Sequence, residues 1–195
     1  MRLRHSHSLF IVFSLGEGGL IPLAMAAGWL WGLDPWKTWK WGLRGVGAGV
    51  AGAAPLVVLL MVLLRSHWSA VADLRRRVED LLAGALASWR LWQFGVVSLL
   101  AGVGEEALFR GVIQAGLAGR YGDWVGWVVS ALLFGMLHAL SGLYFLFATV
   151  VGLWLGILWW WSGDLVVPVV VHALYDFIAL LALRGDLAAR SRGVK

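Results

Sequence analysis

Residues 45–64 read GVGAGVAGAAPLVVLLMVLL, twenty residues without a charge between Arg44 and Arg65. At 1.5 Å per residue that run is about 30 Å long, the thickness of a bilayer's hydrocarbon core. It reads as a membrane-crossing helix and supplies a ruler for the rest of the chain. Five more stretches approach the same length: 9–31, 91–117, 124–140, 142–161 and 165–183. The expected fold is all-α, a polytopic transmembrane helical bundle of about six spans. The first stretch, interrupted by Gly16-Glu17-Gly18-Gly19, exceeds the roughly 7 to 15 apolar residues of a secretory signal and is read as a retained span. The third is longer than a straight crossing needs, so tilt or a kink is expected. The fourth and fifth share almost no loop, which requires a tight helical hairpin.

Composition agrees. Of 195 residues, 61% are hydrophobic and only 14% charged, whereas a soluble surface needs about 25% charge. The net charge of +5 sits between apolar runs, not in one stripe with interleaved aromatics, and this excludes a nucleic-acid partner. Without cysteine, thiolate chemistry and zinc–cysteine sites are excluded. The fourteen tryptophans, among them Trp29, Trp31, Trp36, Trp39 and Trp41, suit headgroup belts. If six spans alternate, one side receives Arg2, Arg4, Arg65, Arg75, Arg76, Arg77, Arg90, Arg184, Arg190, Arg192 and Lys195. The other receives Lys37, Lys40, Arg44 and Arg120. Eleven against four places both termini in the cytoplasm. Between spans two and three, Val71, Leu74, Val78, Leu81 and Leu82 recur at helical spacing opposite Arg75, Arg76, Arg77, Glu79 and Asp80. That pattern fits a helix on the membrane surface or a solvated loop helix.

An ionisable residue near the bilayer centre costs at least about 2.5 to 3.5 kcal/mol, so each needs a partner or a task. Six stand in spans three, four and six: Glu105, Glu106, Arg110, His138, His172 and Asp176. On an α-helix Glu106 and Arg110 are i and i+4 and can pair. Glu105 points about 100° away without that partner. A carboxylate in a poorly solvated pocket suits a general base. Phe134 and His138, and likewise His172 and Asp176, are i and i+4 and share a face. Counting rise per residue puts Glu105 and His172 both about 20 Å above the inner end, with His138 about 10 Å nearer the cytoplasm.

Glu-Glu-x-x-x-Arg, Phe-x-x-x-His and His-x-x-x-Asp, each on its own span in that order, resemble the CPBP family of CAAX prenyl endopeptidases and bacterial Abi-type proteins. The resemblance covers about residues 91–183. The chain reads as one membrane-embedded domain over 1–195, with two N-terminal spans and the surface helix in 1–90, and the resemblance makes 91–183 a four-helix catalytic core. The resemblance further implies intramembrane proteolysis of a membrane-associated protein or peptide. Glu105 would be the base, His138 would help hold the water, and His172 assisted by Asp176 would stabilise the oxyanion. Glu106, Arg110 and Phe134 would support them. Asp176 stands where eukaryotic members usually carry Asn. The first reading needs no cofactor; the alternative is Zn2+ on Glu105, His138 and His172, a carboxylate and two imidazoles with an open position for water. A non-enzymatic alternative, a proton-coupled transporter or a scaffold, would use the same buried groups as a relay. The compact length suits a bacterial inner (plasma) membrane.

Overall fold

The computed structural model describes the backbone of residues 2–191 and the side chains of residues 7–188. The side chains of Arg2, Arg4 and Arg190 from the charge count, and all of Arg192 and Lys195, lie outside the described residues. Every regular element among the described residues is helical: α1 (Arg2–Trp31), α2 (Leu43–Arg65), α3 (Ser69–Ser88), α4 (Leu91–Glu106), a π-helical segment (Ala107–Gln114), α5 (Ala115–Tyr121), α6 (Asp123–Leu137), α7 (Gly142–Ser162) and α8 (Val166–Ser191).

Four of these helices, α1, α2, α7 and α8, contain stretches long and apolar enough to cross a membrane. The third expected span is a continuous run of α4, π-segment and α5; α6, with 15 residues, is shorter than a 30 Å crossing requires. The bundle buries polar groups within its apolar core and turns large apolar side chains outward. Val58, Val62, Leu99, Leu132, Leu146 and Trp161 are exposed, while Glu106, Arg110, Gln114, Ser130 and His172 are buried. That inversion suits lipid as the solvent.

Small residues set the seams. Gly18 faces Leu100 and Gly104 faces Glu17 and Leu20, so α1 and α4 run side by side in the same direction. Gly95 lies opposite Phe177 and Gly102 opposite Val169 and Ala173, which makes α8 antiparallel to α4. The hairpin of α6 and α7 turns at residues 138–141, where Ser141 Oγ accepts from Tyr144 N at 3.1 Å and caps α7. Gly163, at φ 58°, closes α7 in the left-handed conformation that favours glycine. Asp164 then starts α8: its Oδ1 accepts from Val166 N at 2.9 Å and from Lys40 N at 3.1 Å, tying the α1–α2 loop to α8.

The amphipathic segment expected over 66–90 forms α3. Its apolar face is turned onto the bundle, with Val71, Ala85 and Leu86 buried. Arg75 Nη1 donates to Leu64 O of α2 at 3.1 Å and to Asp186 of α8 at 3.3 Å.

Candidate active site

The third span changes its winding next to its two acids. Glu105 and Glu106 end α4, and the following eight residues form a π-helix, a form concentrated at functional sites. A π-turn disturbs the i to i−4 ladder, and inside a membrane the neighbours must meet the backbone groups it leaves. Ser130 Oγ of α6 donates to Phe109 O at 3.0 Å. Two side chains of the π-segment reach α7 in register: Arg110 Nη2 donates to Gly152 O at 2.8 Å and Gln114 Nε2 to Gly156 O at 3.1 Å.

Arg110 is fully buried, and its Nη1 lies 2.9 Å from Glu106 Oε1. The expected i, i+4 pair therefore forms across the junction of α- and π-helix. The same Oε1 stands 2.8 Å from His172 Nδ1 of α8. Glu106 thus fixes one arginine and one histidine at once. The sequence reading had coupled His172 to Asp176; that contact exists at 3.5 Å through Nε2, but the shorter bond is to Glu106.

His138 is not on the face of a helix. α6 ends at Leu137, and His138 occupies the turn beyond it at φ −101°. Its ring stacks on Phe134 with centroids 4.6 Å apart, and Nδ1 lies 2.8 Å from Phe134 O. A carbonyl only accepts, so Nδ1 carries the hydrogen and, in the neutral ring, Nε2 offers a lone pair. Nε2 faces Glu105 Oε2 at 3.7 Å. The expected 10 Å offset in depth does not occur. The third span runs on to Tyr121 rather than 117, so α6 descends from a start about 6 Å further out. Phe134 also meets the His172 ring edge-on at 5.9 Å, and its face lies 5.0 Å from the Arg110 guanidinium. One aromatic ring spaces both histidines and the arginine.

Glu105 is 7% exposed, and no donor reaches its Oε2. It opens onto a cavity of about 530 Å³ that also takes in His138, His172, Asp176, Tyr144 and Tyr175 and continues as an apolar trough beneath α3. Among the polar residues of the lining, Tyr144, Tyr175 and Glu17 fall outside the sequence-predicted set. Tyr144 lies at the start of α7, with its ring 6.4 Å from that of His138; nothing in an apolar run marks one tyrosine from another. Glu17 of α1 lines the same cavity and interacts with Glu105. An acid in the middle of an apolar span was signal enough to find it.

Among the described residues, no three His, Asp or Glu side chains are grouped to hold a metal ion. Each histidine has its Nδ1 bonded elsewhere, His138 to Phe134 O and His172 to Glu106, so Nε2 is the nitrogen each would offer to a zinc ion beside Glu105. Zn2+ is the alternative that this donor set allows.

Residues 87–178 match the family model described as Type II CAAX prenyl endopeptidase Rce1-like. This region, just under half of the chain, is similar to that family. The matched residues contain every polar group just described except Glu17. The chain is also 30% identical over 99 residues to the uncharacterized protein YpbD of Bacillus subtilis (strain 168), covering 49% of this chain and 48% of that one. It thus spans about half the length of the curated relative it matches. No solved structure matches.

Proposed function

We propose that this chain is an intramembrane endopeptidase that cleaves a membrane-associated protein or peptide with water activated by Glu105. The observation that carries the reading is the pairing of two open valences: Glu105 Oε2, buried without a donor, and His138 Nε2, with its lone pair free, 3.7 Å apart on one cavity wall. One water bonded to both would be held and deprotonated there. His172 supplies the donor for the oxyanion as an imidazolium: it donates through Nδ1 to Glu106, and its Nε2–H, loosely tied to Asp176 at 3.5 Å, can turn to the carbonyl oxygen. Glu106, Arg110 and Phe134 keep these groups in place. The Rce1-like match over 87–178 supports hydrolysis, and the apolar trough offers a bed for a substrate that enters from lipid. The cation count supports cytoplasmic termini.

The test compares the protein termini present in membranes that express the wild-type chain or Glu105→Gln at equal levels. New termini that depend on Glu105 are expected. An identical set of termini in both membranes overturns the protease reading.

A further inference from the structure

The open end of the α6–α7 hairpin, opposite the turn at 138–141, carries a small pocket of about 110 Å³. It is lined by Asp123, Trp124 and Trp127 from the first two turns of α6 and by Ile157 and Trp160 near the end of α7. None of these residues lines the Glu105 cavity. The 21 residues of Gly142–Ser162 are apolar enough to cross a membrane and rise about 31 Å, so the last turn of α7 reaches the bilayer surface. Trp127 is held in place by α7: its Nε1 donates to Leu153 O at 2.8 Å. Gly156 makes room for the ring, since a methyl group built there would lie 2.8 Å from Trp127 Cδ1. Trp124 leans on Trp127 with ring centroids 5.1 Å apart at 54°. Trp124 and Trp160 are exposed. Asp123 is also exposed, and among the described residues nothing donates to its carboxylate or pairs with it. The cation nearest in sequence, Arg120, is engaged elsewhere: Nη1 donates to Gly116 O at 3.3 Å, and the guanidinium lies 5.2 Å from the Trp31 ring.

The face of an indole attracts a cation, and aromatic cages hold quaternary ammonium groups. An unpaired carboxylate beside the rings adds a full negative charge and turns anions away. The dipole of α6 accounts for an acid in its first turn, but not for three indoles from two helices around the same small space. A belt of interfacial tryptophans accounts for scattered rings, but not for one seated on a glycine and bonded to a carbonyl of the neighbouring helix. We propose that this pocket binds the ammonium headgroup of a zwitterionic phospholipid, with the cation against Trp124, Trp127 and Trp160 and facing the Asp123 carboxylate. Val128 and Leu132, one and two turns along the Trp124 face of α6, are exposed and give an acyl chain an apolar track. The consequence lies at the other end of the helix. α6 begins at Asp123 and stops one residue before His138, so a headgroup held at its start fixes the depth of that turn about 22 Å away. The pocket is separate from the Glu105 cavity, so the lipid binds whether or not the chain cleaves peptides.

The deciding measurement is native mass spectrometry of the purified full chain, released from micelles that hold equal amounts of phosphatidylcholine and phosphatidylglycerol with the same acyl chains. Wild type is expected to retain phosphatidylcholine over phosphatidylglycerol by about fivefold, the scale of an exposed cation–π contact. Asp123→Asn and Trp160→Leu should each bring that ratio close to unity. Trp160→Leu leaves the net charge unchanged and so separates the pocket from general electrostatics. Trp161 is exposed beside Trp160 but lies outside the pocket, so Trp161→Leu should keep the wild-type ratio. Melting curves confirm that each variant is folded, and Trp124→Leu, also at an exposed position, stands in for one that melts early. Equal retention of the two lipids by wild type, or a preference that survives both Asp123→Asn and Trp160→Leu, overturns the site. The same loss in Trp161→Leu as in Trp160→Leu also overturns it, since an aromatic belt alone would then explain the binding.

Discussion

Glu106 Oε1 faces Arg110 at 2.9 Å and His172 at 2.8 Å with no exposure, whereas Oε2 of the adjacent Glu105 meets no donor. Removing one member of a fully buried pair strands the other charge and costs about 3 to 5 kcal/mol. Glu106→Gln is therefore expected to lower the melting temperature of detergent-purified protein and its activity together. Glu105→Gln takes away a carboxylate with no fixed cation, so it should melt at or above the wild-type temperature while cleavage falls about 10² to 10⁴-fold. An early-melting Glu105→Gln beside a fully active Glu106→Gln would exchange the two roles. The same residue-level geometry bears on metal. On the metal-free reading, in which Glu105 activates the water without a Lewis acid, metal analysis of active protein should find far less than one zinc per chain, and a strong chelator should leave cleavage intact. Stoichiometric zinc that restores a chelated enzyme would contradict the assignment.

At the scale of elements, the seam between α1 and α4 sets how Glu17 and Glu105 come to line one cavity. A methyl at Gly104 runs into backbone, which cannot swing aside, whereas one at Gly19 meets nothing within 4 Å. Overpacking of this kind costs about 1 to 3 kcal/mol. Gly104→Ala is thus expected to destabilise by that amount and to speed amide exchange along α1, while Gly19→Ala should stay within about 0.5 kcal/mol of wild type. Thermal melts and exchange measured by mass spectrometry check both; equal behaviour of the two variants would mean that the close approach is not needed. The π-segment is the second decisive element. Its Arg110 and Gln114 grip Gly152 O and Gly156 O one turn apart on α7, so the third span is locked to the helix behind it just where its own ladder is disturbed.

For the whole molecule, the proposed orientation rests on the distribution of cations about the spans. The chain has no cysteine, so a single introduced cysteine is a unique label. Lys37, between α1 and α2, and His67, between α2 and α3, are both exposed and lie at opposite ends of α2. In intact bacterial cells stripped of their outer layers, a membrane-impermeant maleimide should label Lys37→Cys directly and His67→Cys only after lysis. The opposite pattern would invert the topology.

Sequence alone determined the helical membrane class, the place of each long apolar run and the Glu106–Arg110 pair, because hydropathy and i, i+4 spacing are local properties of one helix. It also marked Glu105, His138, His172 and Asp176, since an ionisable group in an apolar run stands out whatever surrounds it. Glu17 met the same criterion and was passed over as a break in its span. Only the tertiary structure decided who faces whom. The depth of His138 depended on where α5 ends, the partner of His172 on the rotation of α8 against α4, and the place of Glu17 at the cavity on the close approach of α1 to Gly104. Contacts between helices are set by axial shift and rotation at close-packed seams, and a one-dimensional pattern carries neither quantity.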